Sequence, residues 1–278
     1  MERELFNVLS FFAFWLGACI ASFLNVVIWR VPRGESIVSP PSHCPKCGAL
    51  IRWYQNLPIV AWLALRGRCA KCREPISPRY ILIETLGGLL FLAVFRTFCS
   101  PAALVSLPIL FNVLVLWIWI ALMIVGTFID FDHQLLPDFV TVGGMILGLV
   151  WAGEQSFVTR DWTPVLVALA GLAVGFGVLY LVRAVGTKVF KREAMGMGDV
   201  LLLGAVGALF GPVAAIFTLV LSSFYGSLVG LSLCALSRLR LGGGAAIPYG
   251  PYICLACLTW IFYGPQLLDW YLQLLRFG

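Results

Sequence analysis

Gly196-Met197-Gly198-Asp199-Val200-Leu201-Leu202-Leu203 places one carboxylate, flanked by glycines, at the entrance of an apolar run. If that run enters a bilayer, the ionisable side chain sits where charge is costly, and such a group is a functional-site hypothesis by default. It needs a partner. The chain offers one comparable acidic cluster, Ile129-Asp130-Phe131-Asp132-His133-Gln134-Leu135-Leu136-Pro137-Asp138, which also lies between two long apolar runs.

Composition supports the bilayer. Of the 278 residues, 61% are hydrophobic and 12% charged, against roughly 25% charged in a soluble domain. Runs of about 20 apolar residues are long enough to span. They fall near 8–29, 80–98, 105–129, 139–153, 164–183, 199–210, 212–236 and 247–263. The fold class is therefore an all-α polytopic membrane protein of about eight transmembrane helices. The sixth run is short and joins the seventh through Gly211-Pro212, which predicts a tight hairpin with the sixth tilted or partly re-entrant. The first run is too long for a signal-peptide core and lacks a basic flank, so it reads as a span rather than a cleaved leader. The organisation is a first transmembrane helix (1–30), a cytoplasmic four-cysteine loop (31–79) and a seven-helix membrane domain (80–278). The tail 265–278 reads as a short amphipathic helix on the outer surface.

Short cytoplasmic loops collect Lys and Arg. With eight spans and the N-terminus outside, Arg30, Arg33, Lys46, Arg52, Arg66, Arg68, Lys71, Arg73, Arg79, Arg183, Lys188, Lys191, Arg192, Arg238 and Arg240 face the cytoplasm. Only Arg3, Arg96, Arg160 and Arg276 remain on the outer side. Both termini are then expected outside the cytoplasm, and Asp130 and Asp199 share the cytoplasmic face. The net charge of +6 follows from this pattern and from attraction to anionic headgroups, so it does not indicate nucleic acid.

The loop 31–79 is too small for a core of its own and needs a staple. Cys44-Pro45-Lys46-Cys47 and Cys69-Ala70-Lys71-Cys72 supply one, two C-x2-C knuckles at the spacing of four-cysteine zinc sites. A cytoplasmic loop disfavours disulfides, and four thiolates leave no open position for a catalytic water, so the expected zinc is structural. Cys19, Cys99 and Cys234 read as small packing residues. Cys254 and Cys257 repeat the knuckle spacing inside a span and are not expected to hold metal. His43 reads as an exposed loop residue, and His133 sits in the acidic cluster.

Two aspartates facing one another near the inner surface suit water attack on a peptide bond. Adjacent carboxylates cannot both ionise easily, so one keeps a proton while the other acts as base. Gly196 and Gly198 would let a substrate backbone approach and permit unusual angles at the helix start. Asp199 as a simple helix N-cap remains open at this point, as Asp138 is expected to cap span four. So does the choice among Asp130, Asp132 and Asp138. A membrane transporter or metal-responsive channel with an acidic ion path is the alternative from another class, though it predicts acids deep in several helices. A zinc protease lacks its H-E-x-x-H.

Several ordered motifs together resemble the type IV prepilin peptidases, membrane aspartyl proteases of the GxGD kind. Gly17-Ala18-Cys19-Ile20-Ala21-Ser22-Phe23-Leu24-Asn25-Val26-Val27-Ile28-Trp29-Arg30-Val31-Pro32 is similar to the family's N-terminal signature. The knuckles follow, then Ile76-Ser77-Pro78-Arg79-Tyr80 with Glu84, the cluster at Asp130, Gly196-Met197-Gly198-Asp199, and Ile247-Pro248-Tyr249-Gly250-Pro251-Tyr252. The resemblance implies that Asp130 and Asp199 are the catalytic pair. It implies a bacterial inner-membrane endopeptidase that removes the basic leader of type IV prepilins or type II secretion pseudopilins, after a glycine and on the cytoplasmic side. It further implies N-methylation of the new terminus with S-adenosylmethionine, for which no residues can be derived. Leu201 and Ile81 stand where the family commonly has Lys and Pro.

Overall fold

The computed structural model describes residues 2–101, 106–191, 193, 195–236 and 248–277. Among them the chain is helical, with only the isolated bridges His43–Leu50 and Arg68–Pro75 in place of strands. Hydrocarbon offers no partner to a bare N–H or C=O, and a helix satisfies both within one segment. The helices are α1 (Glu2–Arg30), α2 (Val60–Ala64), α3 (Arg79–Phe98), α4 (Leu107–His133), α5 (Asp138–Thr159), α6 (Thr163–Phe190), α7 (Met197–Ala235) and α8 (Gly250–Phe277). Arg192, Arg238, Arg240 and Ile247, used in the sequence reading, lie outside the described residues.

Among the described residues six helices are long and apolar enough to cross a membrane: α1, α3, α4, α6, α7 and α8. The two further segments that bring the expected count to about eight are α5, with 22 residues, and the second limb of α7. Helix α7 is continuous in hydrogen bonding except at Gly211, whose φ of 86° and ψ of 177° are non-helical and precede Pro212. A left-handed φ there calls for glycine, and Pro212 supplies no N–H to carry the ladder on.

The chain divides into two compact units, Met1–Val125 and Gly126–Gly278. In the first unit α1 and α3 run antiparallel. Phe6 stacks on Phe95 at 5.5 Å, and near the other end Asn25 Nδ2 donates to Tyr80 O at 3.4 Å. Between them the backbones come so close that a Cβ on Gly17 would lie 2.6 Å from Gly87 O. Trp117 lies flat on Phe91, centroids 5.1 Å apart, and donates its indole N–H to Phe91 O.

In the second unit the two limbs of α7 fold back on one another. Asp199 begins the first limb, whereas Ser222 and Ser223 of the second share the Tyr249 hydroxyl at 2.7 and 3.1 Å. Tyr249 directly precedes Gly250, and Gly250 and Gly198 both pack on Leu136. A straight helix would hold Asp199 and Ser222 about 34 Å apart. The second limb then runs antiparallel to α8, with Phe217 against Trp260 at 5.1 Å. The hairpin expected at Gly211-Pro212 is present.

Helix α6 buries only the stripe Ala168, Gly171, Gly175 and Leu179. Leu166, Leu169, Leu181 and Val185 are more than 45% exposed, a surface suited to lipid tails and not to water. With no hydrophobic drive between helices in lipid, association rests on close packing of small residues. The backbones of Gly171 and Gly207 touch, and a Cβ on either would strike the other's carbonyl. One expectation is corrected here. The tail is not a separate helix, because α8 continues through Pro265 to Phe277; a single lost hydrogen bond at proline does not end it.

Gly207→Leu should lower the thermal unfolding midpoint of the detergent-purified protein, corresponding to roughly 1–3 kcal/mol or more of overpacking. Gly177→Leu, where a side chain meets open space, should leave the midpoint unchanged.

Candidate functional site

Asp130 ends the apolar face of α4, one turn before the helix stops at His133. It is 5% exposed, whereas Asp132, His133 and Asp138 are exposed. A buried carboxylate requires donors, and Asp130 Oδ2 accepts the Gly250 N–H at 3.0 Å. That N–H belongs to the first turn of α8, where helix geometry leaves donors unpartnered. The fit admits no side chain: a Cβ at Gly250 would lie 2.7 Å from Asp130 Oδ2 and 3.3 Å from Leu136.

Asp199 lies in the first turn of α7, and the N-cap of that helix is Gly196. The capping alternative therefore fails on position, since Gly196 is the N-cap and Asp199 is already the third helical residue. Asp138 likewise does not cap α5; Pro137 occupies that place and Asp138 is the first helical residue. The reason expected for the glycines also changes. Gly196 has φ −64° and ψ 148°, open to any residue, and Gly198 is not among the glycines of positive φ. Gly198 is needed for space, because a Cβ there would meet Leu136 Cβ at 2.8 Å.

Leu136 is thus the wedge around which the site forms, touching the positions of Gly198 and Gly250. Asp130 and Asp199 come to the same end of the unit, close enough for the charge of one to act on the other. Cys254, one turn along α8 from Gly250, is buried, hydrogen-bonded to Thr127 and within electrostatic reach of both acids. Sequence reasoning missed Leu136 and Thr127 and gave Cys254 only a packing role. A signal was available in the spacing, since Thr127 and Asp130, like Gly250 and Cys254, share a helix face.

In the first unit the four cysteines expected to bind metal converge. The sulfurs of Cys44, Cys47, Cys69 and Cys72 all lie within 4.8 Å of one another, with Cys44 and Cys72 at 3.8 Å. A tetrahedral zinc with bonds of about 2.3 Å separates its sulfurs by about 3.8 Å. The donor set therefore fits such an ion. The knuckles repeat one turn. Gly48 N–H donates to Cys44 O and Arg73 N–H to Cys69 O, while Cys44 and Cys69 N–H donate to Ala49 O and Glu74 O. Gly48 and Arg73 both take positive φ, 66° and 62°. The N–H groups of Cys72 and Lys71 hold the Cys69 thiol down to about 6. At Cys72 the Glu74 N–H is outweighed by desolvation and the neighbouring sulfurs, which push that thiol up to about 12. His43 is exposed and bonds Pro41 O.

Residues 15–98 match the family model of the bacterial peptidase A24 N-terminal domain, and residues 117–231 match that of the type IV leader peptidase family. A prepilin leader peptidase/N-methyltransferase of Pseudomonas putida is 35% identical over 94% of this chain and 93% of its own length. The chain belongs to the type IV leader peptidase family. A relative of the same name from Legionella pneumophila is 34% identical over 91% of both chains. One from Myxococcus xanthus is 44% identical over 79% of this chain, which spans 62% of that relative's length. No solved structure matches the chain.

The Gly250 contact yields a direct expectation. Gly250→Ala should destabilise the protein by roughly 1–3 kcal/mol through overpacking against Asp130, seen as a lower unfolding midpoint. Gly143→Ala, facing open space, should not.

Proposed function

We propose that Asp130 and Asp199 form the catalytic dyad of a membrane aspartyl endopeptidase that removes the leader of type IV prepilins or type II secretion pseudopilins. The observation that supports this reading is that Asp130, bonded to Gly250, and Asp199, next to Gly198, lie at one end of the second unit, where Gly198 and Gly250 both pack on Leu136. One carboxyl group, protonated, polarises the scissile carbonyl; the other, ionised, takes a proton from the attacking water. The Gly250 N–H occupies Oδ2 of Asp130, which orients that carboxyl group and leaves Oδ1 for the reaction. Gly198 lets the start of α7, and with it Asp199, pack against Leu136. Family membership and the pairing of the acids favour this over an ion path.

The dyad lies at the cytoplasmic face of the bacterial inner membrane with both termini outside the cytoplasm, in keeping with the distribution of Lys and Arg. Prepilins meet the enzyme there with their basic leaders in the cytoplasm and their apolar helices in the bilayer. Cys44, Cys47, Cys69 and Cys72 hold a structural zinc that staples the loop 31–79, a segment without a core of its own. After cleavage the enzyme also methylates the new N-terminus. When bound, S-adenosylmethionine would supply the electrophilic methyl group for that N-terminal amine.

Asp130→Asn and Asp199→Asn should each lower leader cleavage by roughly 10²–10⁴-fold or more while the protein still inserts, measured on a purified prepilin by mass spectrometry. Cleavage at the wild-type rate by either variant contradicts the assignment. Cys44→Ser or Cys72→Ser should remove bound zinc, measured by elemental analysis, and lower stability or methylation more than cleavage. A zinc-free wild-type protein of full stability contradicts the staple.

A further inference from the structure

A pocket of about 370 Å³ opens in the first unit, where α1 faces the segments 37–42 and 56–58. Along α1 its wall runs from Cys19 through Ser22, Phe23 and Val26 to Arg30, about 16 Å of helix. The manner of its construction distinguishes it from a packing gap. Among the described residues of this unit the buried charged side chains are Arg30 and Glu84, each 8% exposed, and both hydrogen-bond to wall residues and to the residues beside them. Arg30 donates to Ser36 O at 2.8 Å and to Pro40 O at 2.7 Å. Glu84 Oε2 accepts the N–H of Ile59 at 2.7 Å, the residue that follows the wall residue Pro58, and Glu84 also bonds the Ser22 side chain.

Ile59 itself has φ 61° and ψ −55°, with the Val60 N–H closing a γ-turn onto Pro58 O. That conformation is rare and strained, more so for a β-branched residue. Buried charge and backbone strain persist where the surroundings hold them, and they gather at ligand sites. Ser42 and Asn56, also on the wall, make no side-chain hydrogen bond among the described residues.

We propose that this pocket is the binding site for S-adenosylmethionine, an inference that rests on the methyl-transfer reading above. Its volume falls within the range of small-molecule sites, about 300–1,000 Å³. A buried guanidinium at Arg30 matches the amino-acid carboxylate. The half-exposed ring of Phe23 offers an adenine a face, and the hydroxyls and amide of Ser22, Ser42 and Asn56 suit a ribose. The position fits the acceptor as well. The amine to be methylated begins an apolar helix and so sits at the membrane interface, the depth reached by a wall that starts at Arg30 and continues into the span. A phospholipid would also offer Arg30 an anion, but its acyl chains have no use for Ser22, Ser42 and Asn56.

The test uses the full-length protein in nanodiscs of phosphatidylethanolamine and phosphatidylglycerol. It is titrated with S-adenosylhomocysteine and, separately, irradiated with an azido analogue of S-adenosylmethionine. Saturable binding is expected, with adducts mapping to 19–30, 37–42 or 56–58. Cys19→Trp, which fills the pocket, and the milder Ser42→Leu should each weaken binding at least tenfold while the protein remains monodisperse. Adducts confined to 126–278 overturn the pocket assignment. So does unchanged affinity in both variants, including the case in which phospholipid is recovered from the pocket; methyl transfer would then stand without this site. A wild-type protein that cleaves leader yet binds no S-adenosylhomocysteine overturns methyl transfer, and the pocket assignment with it.

Discussion

One hydrogen bond, from the Gly250 N–H to Asp130 Oδ2 across 120 residues, organises the acid-bearing end of the second unit. Helix geometry leaves the first N–H groups of α8 without partners. Burial leaves Asp130 with a carboxylate that must find donors. Each group answers the need of the other, and the start of α8 is thereby fixed against the end of α4. Tyr249, immediately before it, then pins the returning limb of α7 through Ser222 and Ser223. Asp199 completes the arrangement because Gly198 lets α7 begin flush against Leu136.

The rest of the molecule follows from the same restriction on polar groups in lipid. Helices satisfy their own backbones, so their faces are free to be apolar outside and small inside, as α6 shows with its buried stripe from Ala168 to Leu179. Among the described residues the buried charges, Arg30, Glu84 and Asp130, lie within two turns of a helix end. There each buried charge fixes one segment of backbone. Asp130 receives α8, Arg30 holds the 36–40 segment, and Glu84 holds the turn at Ile59. The loop is too short to bury a core, and its two knuckles bring four sulfurs together where a metal can take the place of one.

Much of the fold was legible in the sequence because hydrocarbon thickness sets the length of an apolar run, and Gly211-Pro212 announced its own hairpin. The four cysteines were legible because each knuckle is a local turn whose geometry its spacing encodes. Asp199 was legible as costly and as a partner for Asp130, but the Gly250 N–H that Asp130 accepts was not, since it depends on α4 and α8 converging. Local pattern misled where two conformations suit one residue. Asp138 and Asp199 look like caps, but Pro137 and Gly196 take those positions. Gly198 looks like a residue chosen for unusual backbone angles, but it is a spacer against Leu136. Leu136 carried no signal, because a leucine in a polar turn is ordinary until its neighbours are known. The division at Val125 was hidden too, falling inside the unbroken helix α4.

Whether the two acids act as one unit is measured most directly by a double-mutant cycle on leader cleavage, with enzyme in excess over a purified prepilin. A dyad predicts strong non-additivity: Asp130→Asn combined with Asp199→Asn loses little more activity than either change alone, because either one already disables the pair. Losses that multiply would mean two independent contributions and would contradict a shared site.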